Sequence, residues 1–345
     1  MRVSLVIPAF NRERTVAESI ESVLRQGVDD IEVIVVDDGS TDGTKDVVQK
    51  IALSDKRVLY IRQENGGVSA ARNKGLDVAS GEAVMFLDSD DVLPLGSLKV
   101  LIGVQRQTQC TMAAGSFLYS RSASTKKAGG SRVYGVLQGS AAQVRIKGAS
   151  DLEKHFAHYM DDKTFLSVCG KLYSACVIKK AGLRFEKGVN VGEDLLFNLA
   201  FFTQTLDICI VDTPCYIYRV DSSNSSLSTR VDFTRIEGAK MLYEKSKQFA
   251  QTMGMAASAQ KTLLKHYWRT LFVLFEKIPS LNDPRVKAVF HKEDPLVMAT
   301  LKTNARGDKE FLLYKISCAL SGGGVIMPRL TVALRHLYRK VARRT

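Results

Sequence analysis

The sequence predicts an α/β protein: a Rossmann-like, mostly parallel mixed sheet with helices on both faces, followed by an α-helical C-terminal extension. Three observations predict it. Over the first hundred residues, short β-branched runs alternate with amphipathic stretches at helical spacing. Two of those runs end in carboxylates, Asp37/Asp38 and Asp88/Asp90, at the strand ends where open α/β sheets hold ligands. From residue 232 to 320, the apolar pairs Met241-Leu242, Leu263-Leu264 and Leu312-Leu313 sit at helical spacing.

Residues 3–7 form the first strand, and the following helix has Thr15 as N-cap, apolar positions Val16, Ile20, Val23 and Leu24, and its stop at Gly27. The second strand, 31–36, runs into Asp37-Asp38-Gly39-Ser40, where Ser40, Thr41 and Asp42 supply caps for a helix through Leu53. A third strand at 58–61 turns at Asn65-Gly66-Gly67 into a helix over 69–78, and a fourth at 83–87 ends in Asp88-Ser89-Asp90-Asp91. The signal then weakens. A helix is expected near 95–108, a Ser/Lys/Gly-rich loop at 120–131 and a mobile Gly/Ala segment near 135–150. Gly192-Glu193-Asp194 opens an apolar helix, residues 208–211 and 216–220 read as closing strands, and 221–229 is a Ser-rich loop. The domain boundaries are therefore 1–220, split into halves 1–105 and 106–220, and 221–345.

With 345 residues, 45% hydrophobic and 25% charged, the chain is neither disordered nor low in complexity. No run reaches the roughly 18 to 20 apolar residues of a membrane span, and the N-terminus lacks a secretory apolar region. Six cysteines without a C-x-x-C pair read as buried, reduced thiols, which suits a cytoplasmic protein. His155 and His158 share a helical face without a third ligand and read as packing or surface residues. Net charge is +13, and Lys315, Arg329, Arg335, Arg339, Lys340, Arg343 and Arg344 follow the last acidic residue, Glu310. Residues 328–345 form a basic amphipathic segment that would dock on an anionic membrane surface at the inner face of the cell membrane, or pair with a second subunit.

Asp88-Ser89-Asp90 places two hard oxygen ligands at one strand end, which suits Mg²⁺ or Mn²⁺ carrying a diphosphate. Taken together, the segments 4–11, 35–44, 67–73 and 86–91 resemble, in order and spacing, the motifs of the family-two inverting glycosyltransferases of GT-A fold, of the bacterial surface-polysaccharide type. The resemblance is strong over 3–105 and looser over 165–220. It implies a nucleotide pocket lined by Pro8, Ala9, Phe10 and Glu13, with Asp38 accepting a hydrogen bond from the base, most simply uracil N3–H. By the same resemblance Asn65, Gly66 and Arg72 lie near the ribose and phosphates, and Ser89 lies beside the donor. Asp88 and Asp90 face the sugar and the metal, Asp90 above all as ligand. The catalytic base matches Asp194, with Glu193 as alternative base or sugar-orienting group. Donor and acceptor would be a UDP-sugar and a saccharide or lipid-linked hydroxyl.

Two other readings compete. Residues 87–92 also fit the D-x-D-x-[TV] pattern of haloacid-dehalogenase-like phosphohydrolases, with Asp88 as nucleophile, although that motif then ends the fourth strand and leaves Asp37/Asp38 unused. A non-catalytic anion-binding module rests on the basic tail alone, and no RNA-binding signature accompanies it, so nucleic acid is not an expected partner. A dinucleotide-dependent dehydrogenase is excluded because Pro8 and Phe10 occupy the turn where G-x-G-x-x-G would stand.

Overall fold

The computed structural model describes residues 1–121, 143–161, 164–189, 191–220, 234–275, 289, 295–303 and 314. The chain divides into two compact units, one carrying the sheet and the other carrying the C-terminal helices.

In the first unit, β1 (Val3–Ala9), α1 (Val16–Leu24), β2 (Ile31–Asp37), α2 (Thr44–Ser54), β3 (Val58–Arg62), α3 (Val68–Val78), β4 (Ala83–Phe86) and α4 (Ser97–Thr108) follow the predicted alternation. They are joined by β5 (Met112–Arg121), β6 (Gln143–Lys147), α5 (Ala149–Asp161), of which Phe156–Met160 are counted with the second unit, β7 (Lys171–Ser174), α6 (Ala175–Lys180), α7 (Glu193–Gln204) and β8 (Asp207–Val220). Eight strands form one sheet in the order β3-β2-β1-β4-β7-β5-β8-β6. β7 is antiparallel to both β4 and β5, and β5 is parallel to β8, so β5 and β8 point the same way as β1 to β4. Six carboxyl ends therefore share one end of the sheet. β1 and β2 are buried almost throughout, as strands covered by helices on both faces must be.

Several local expectations change. Thr15 flanks α1 but its hydroxyl makes no cap; in α2 the capping is done by Asp42, whose Oδ1 accepts from the Thr44 amide at 3.0 Å. The two closing strands are one, β8, because a bulge in the pairing around Ser116 absorbs the interruption at Thr213-Pro214. There the backbone of Gly115 passes so close to Cys215 that an added Cβ would lie 2.4 Å from its Sγ. β5 was not legible: Met-Ala-Ala-Gly-Ser has little strand propensity and is held by neighbours on both sides. Residues 143–150, expected within a mobile segment, are the strand β6 and the start of α5. Cys110, Cys169, Cys209 and Cys215 are buried free thiols as expected, but Cys176 is exposed. Cys318, the 120–131 loop beyond Arg121, the Ser-rich loop and the basic segment 328–345 lie outside the described residues.

The core beneath the carboxyl ends is aromatic. Phe185 stacks on Phe197 with centroids 4.2 Å apart, and Phe86 meets both edge-on at 5.1 and 5.7 Å, packing worth about 0.5–1.5 kcal/mol per pair beyond burial. Asn198 on α7 accepts from the Tyr173 hydroxyl at 2.6 Å and donates to the Phe165 and Ser167 carbonyls, which fixes the start of α7 against β7.

The second unit contains α8 (Thr234–Thr252), α9 (Ala256–Phe275) and α10 (Pro295–Lys302). α8 and α9 bury Leu242, Tyr243, Leu263, Leu264, Tyr267 and Trp268. Trp268 donates its indole N–H to Thr300 at 2.9 Å, tying α10 to α9. Among the described residues no helix is long and apolar enough to cross a membrane.

Candidate active site

The end of β2 is stitched to the end of β1 by short polar groups. Asn11, in the left-handed region at φ 53°, donates its amide to Ser40 Oγ at 2.9 Å and accepts from the Thr41 amide at 2.8 Å. Asp37 accepts from the Ser40 amide and from the Tyr60 hydroxyl, at 2.8 and 2.6 Å. Asp38 accepts from Gln63 Nε2 and the Gly66 amide on Oδ1 and from the Gly67 amide on Oδ2, at 2.7, 2.9 and 2.8 Å. Asn65 donates to the Asp38 carbonyl at 2.9 Å. Gly39 sits at φ 80°, and a Cβ there would press on the Asn65 amide at 3.0 Å, so this turn needs glycine. One lone pair of Asp38 Oδ2 remains for a ligand donor. Glu13 accepts from the Gly43 amide at 2.9 Å, which makes it a brace between the two loops. Pro8 and Ala9 are buried in β1 and Phe10 is exposed at its mouth.

At the end of β4 the chemistry is different. Arg72 on α3 is buried, and its guanidinium reaches Asp194 at 2.7 Å, Asp88 at 3.0 Å and Glu193 at 3.5 Å. Its other face lies against Phe185, 5.2 Å from the ring centroid. Burial opposes the charge on Arg72, but Asp194, Asp88 and Glu193 outweigh it and hold the side chain protonated. Asp194 Oδ2 also accepts from the Val168 amide at 3.1 Å. Three carboxylates share one buried cation, so the carboxyl groups cannot all ionise cheaply. Burial and then the charge of Asp194 push Glu193 up to about 7; burial also raises Asp194, against the pull of Arg72.

Asp90 pairs with Arg12 at 3.3 Å, and burial followed by repulsion from Asp88 raises its pKa. Ser89 is buried. Asp91 is turned away from the others, and burial, then Asp88, push it up to about 8. It accepts from the Tyr216 hydroxyl at 2.6 Å and the Arg219 amide at 2.7 Å, while Tyr216 Oη accepts from the Asp88 amide at 3.3 Å. With the backbone bridge between Val92 and Ile217, these bonds lock the acidic loop to β8. Among the described residues no three or more His, Cys, Asp and Glu form a metal cage. The Asp88/Asp90 pair instead suits a hard cation bound by one or two carboxylates and completed by phosphate oxygens and water.

The structure thus brings Arg72, Asp88, Glu193 and Asp194 together and keeps Asp38, Asn65 and Gly66 as a separate cluster. Sequence reasoning missed Arg12, Asp91 and Tyr216. Asp91 adjoins a motif and Tyr216 alternates in Cys-Tyr-Ile-Tyr-Arg, but neither fact says which side chain it meets. Lys171 is fully buried and donates to the Ser167 and Cys169 carbonyls at 2.7 and 3.2 Å.

Comparison with known proteins identifies the family and the fold. The family model described as Glycosyl transferase family 2 matches residues 4–176. The uncharacterized glycosyltransferase EpsJ of Bacillus subtilis (strain 168) is 29% identical over 261 residues, 76% of this chain and 73% of that one. The GalNAc(5)-diNAcBac-PP-undecaprenol beta-1,3-glucosyltransferase of Campylobacter jejuni is 43% identical over 103 residues, 29% of this chain and 33% of that one. Among solved structures, S. aureus TarS 1–349 in complex with UDP-GlcNAc superposes with a TM-score of 0.65 at 19% identity, covering 99% of this chain and 92% of that one. That likeness identifies the GT-A fold. Nothing in these matches favours a phosphohydrolase.

Proposed function

The chain belongs to glycosyl transferase family 2, and we propose that it transfers a sugar, with inversion, from a UDP-sugar to a hydroxyl of a saccharide or lipid-linked acceptor in surface-polysaccharide or glycoconjugate synthesis. The observation that carries this reading is the meeting of Asp88, Glu193 and Asp194, from segments about a hundred residues apart, on Arg72. A carboxylate held in place in a partly water-excluded pocket, with its pKa raised by burial, can take the proton of an incoming hydroxyl.

In the reaction the acceptor oxygen attacks the anomeric carbon and takes it from the diphosphate oxygen on the opposite face. The hydroxyl proton passes to Asp194, and the bond electrons leave with UDP. Arg72 keeps Asp194 ionised and oriented; the Val168 amide fixes its other oxygen. Asp38 receives the uracil N3–H on its remaining lone pair, in a loop held by Gly66 and Gly67. Mn²⁺ or Mg²⁺ would be held by Asp90 and Asp88, where it would supply positive charge for the departing diphosphate. Support for uracil as the base comes from TarS, crystallised with UDP-GlcNAc, and for a polyprenol-linked acceptor from the Campylobacter relative, a GalNAc(5)-diNAcBac-PP-undecaprenol glucosyltransferase. The segment 328–345 would dock on anionic lipid at the cytoplasmic membrane face.

Calorimetric titration of UDP with and without Mn²⁺, on wild type and Asp90→Ala, tests the reading. Metal-dependent binding lost in the variant supports it. Absence of UDP binding under all conditions would overturn the donor assignment.

A further inference from the structure

The face of β5 and β8 that begins at the acidic loop carries four aromatic rings in register. Phe117 pairs with Tyr216 and Tyr119 with Tyr218, with ring centroids 5.3 and 5.8 Å apart. Side chains two apart on a strand share a face. Tyr218 therefore stands about 7 Å along the strand from Tyr216, whose hydroxyl touches both Asp91 and the Asp88 amide. The inner pair is closed in: Tyr216 is fully buried, and the Lys171 ammonium lies 5.5 Å from the Phe117 ring. The outer pair is open, Tyr218 at 40% exposure and Tyr119 at 54%. Burial, then the charges of Asp91, Asp90 and Asp88, raise the Tyr218 pKa, which agrees with its position beside the acidic loop. Both strands run toward the end of the sheet that carries Asp88 and Asp90.

Two exposed tyrosines side by side on adjacent strands form an apolar surface of the kind that marks an interaction site. Their planes meet at 60°, so they form two walls of a trough instead of one flat plate. A pyranose offers C–H groups on its faces and hydroxyls around its rim. It can lay a face on one ring and keep its rim wet, as amphipathic tyrosine sites allow. We propose that Tyr119 and Tyr218 form a stacking platform for the acceptor saccharide, continuous with the catalytic carboxylates through Tyr216. The inference rests on the transferase reading above, which supplies the reason for a sugar at this end of the sheet.

Saturation-transfer NMR tests it with the full chain, UDP and Mg²⁺, using methyl β-glucoside, methyl β-N-acetylglucosaminide and chitobiose as probes. In the wild type, saturation should reach the ring C–H protons of at least one probe. Tyr218→Ala and Tyr119→Ala should each weaken that probe about fivefold, and Tyr218→Phe should keep the affinity. UDP affinity should be the same in all of them. If Tyr218→Ala does not fold, Tyr218→Leu fills the space without a π face and should show the same loss. The platform is overturned if the alanine or leucine variants bind like wild type, if Tyr218→Phe loses as much as Tyr218→Ala, or if wild type binds UDP and none of the probes. Failure to bind UDP at all would overturn the transferase reading itself.

Discussion

The two acidic strand ends of this protein look alike in sequence and are built in opposite ways. At the end of β2, Asp37 and Asp38 are met by neutral donors: backbone amides, a tyrosine hydroxyl and a glutamine amide. At the end of β4, Asp88 and Asp90 are met by the guanidinium groups of Arg72 and Arg12. Neutral donors in a tight loop satisfy a carboxylate and hold its backbone in one geometry. Shared guanidinium groups leave lone pairs open, and nearby carboxyl groups have raised pKa values. One end is suited to recognition and the other to chemistry.

The largest effect should come from the chemical end. Asp194→Asn is expected to lower kcat by about 10²- to 10⁴-fold while leaving the UDP affinity within a few-fold of wild type, measured by initial rates and calorimetry. If Asp38→Asn lowered kcat as much while leaving UDP affinity intact, the division between the ends would fail.

Arg72→Gln leaves three carboxyl groups without their common cation. It should cost about 3–5 kcal/mol in a denaturant titration at pH 8, and less at pH 5, where those groups take up protons. Asp38→Ala removes an acceptor from two glycine amides and Gln63. A loss of about 2–3 kcal/mol is expected. A loss for Arg72→Gln that is the same at both pH values would erase the contrast.

A finer measurement follows the raised carboxyl groups. Glu193 titrates near 7 in the folded protein and near 4.5 when unfolded, so between these values the native state holds the extra proton. Stability then falls as pH rises through that window and is level above it. Glu193→Gln should remove about 3 kcal/mol of this pH-dependent change, read as thermal midpoints from pH 4 to 8. Asp91, pushed up to about 8, acts in the same direction over a wider range, and Asp91→Asn should remove a further part of it. The smallest effect is at the thiols. Among the described cysteines, a thiol reagent should modify native Cys176 first, since burial shields Cys110 and Cys215 and raises both to about 12.

The strands β1 to β4 and their helices were legible because local pattern decides them, whereas Asp38, Glu193 and Asp194 became candidates through the resemblance to family-two glycosyltransferases. Apolar runs of strand length, glycines at turns and acids at strand ends are properties of neighbouring residues. What the tertiary structure decided lies where partners are distant in sequence. β5 is a strand because β7 and β8 offer hydrogen bonds on both sides, not because Met-Ala-Ala-Gly-Ser prefers extension. Arg72 became the common partner of Asp88, Glu193 and Asp194 when α3, the β4 end and α7 met at the carboxyl end of the sheet. The roles of Asp91, Tyr216 and the Tyr119–Tyr218 pair likewise depend on β8 returning beside the acidic loop. A charge or ring is visible in the sequence, but its energy depends on distance and on the loss of water, and those are set only when remote segments pack.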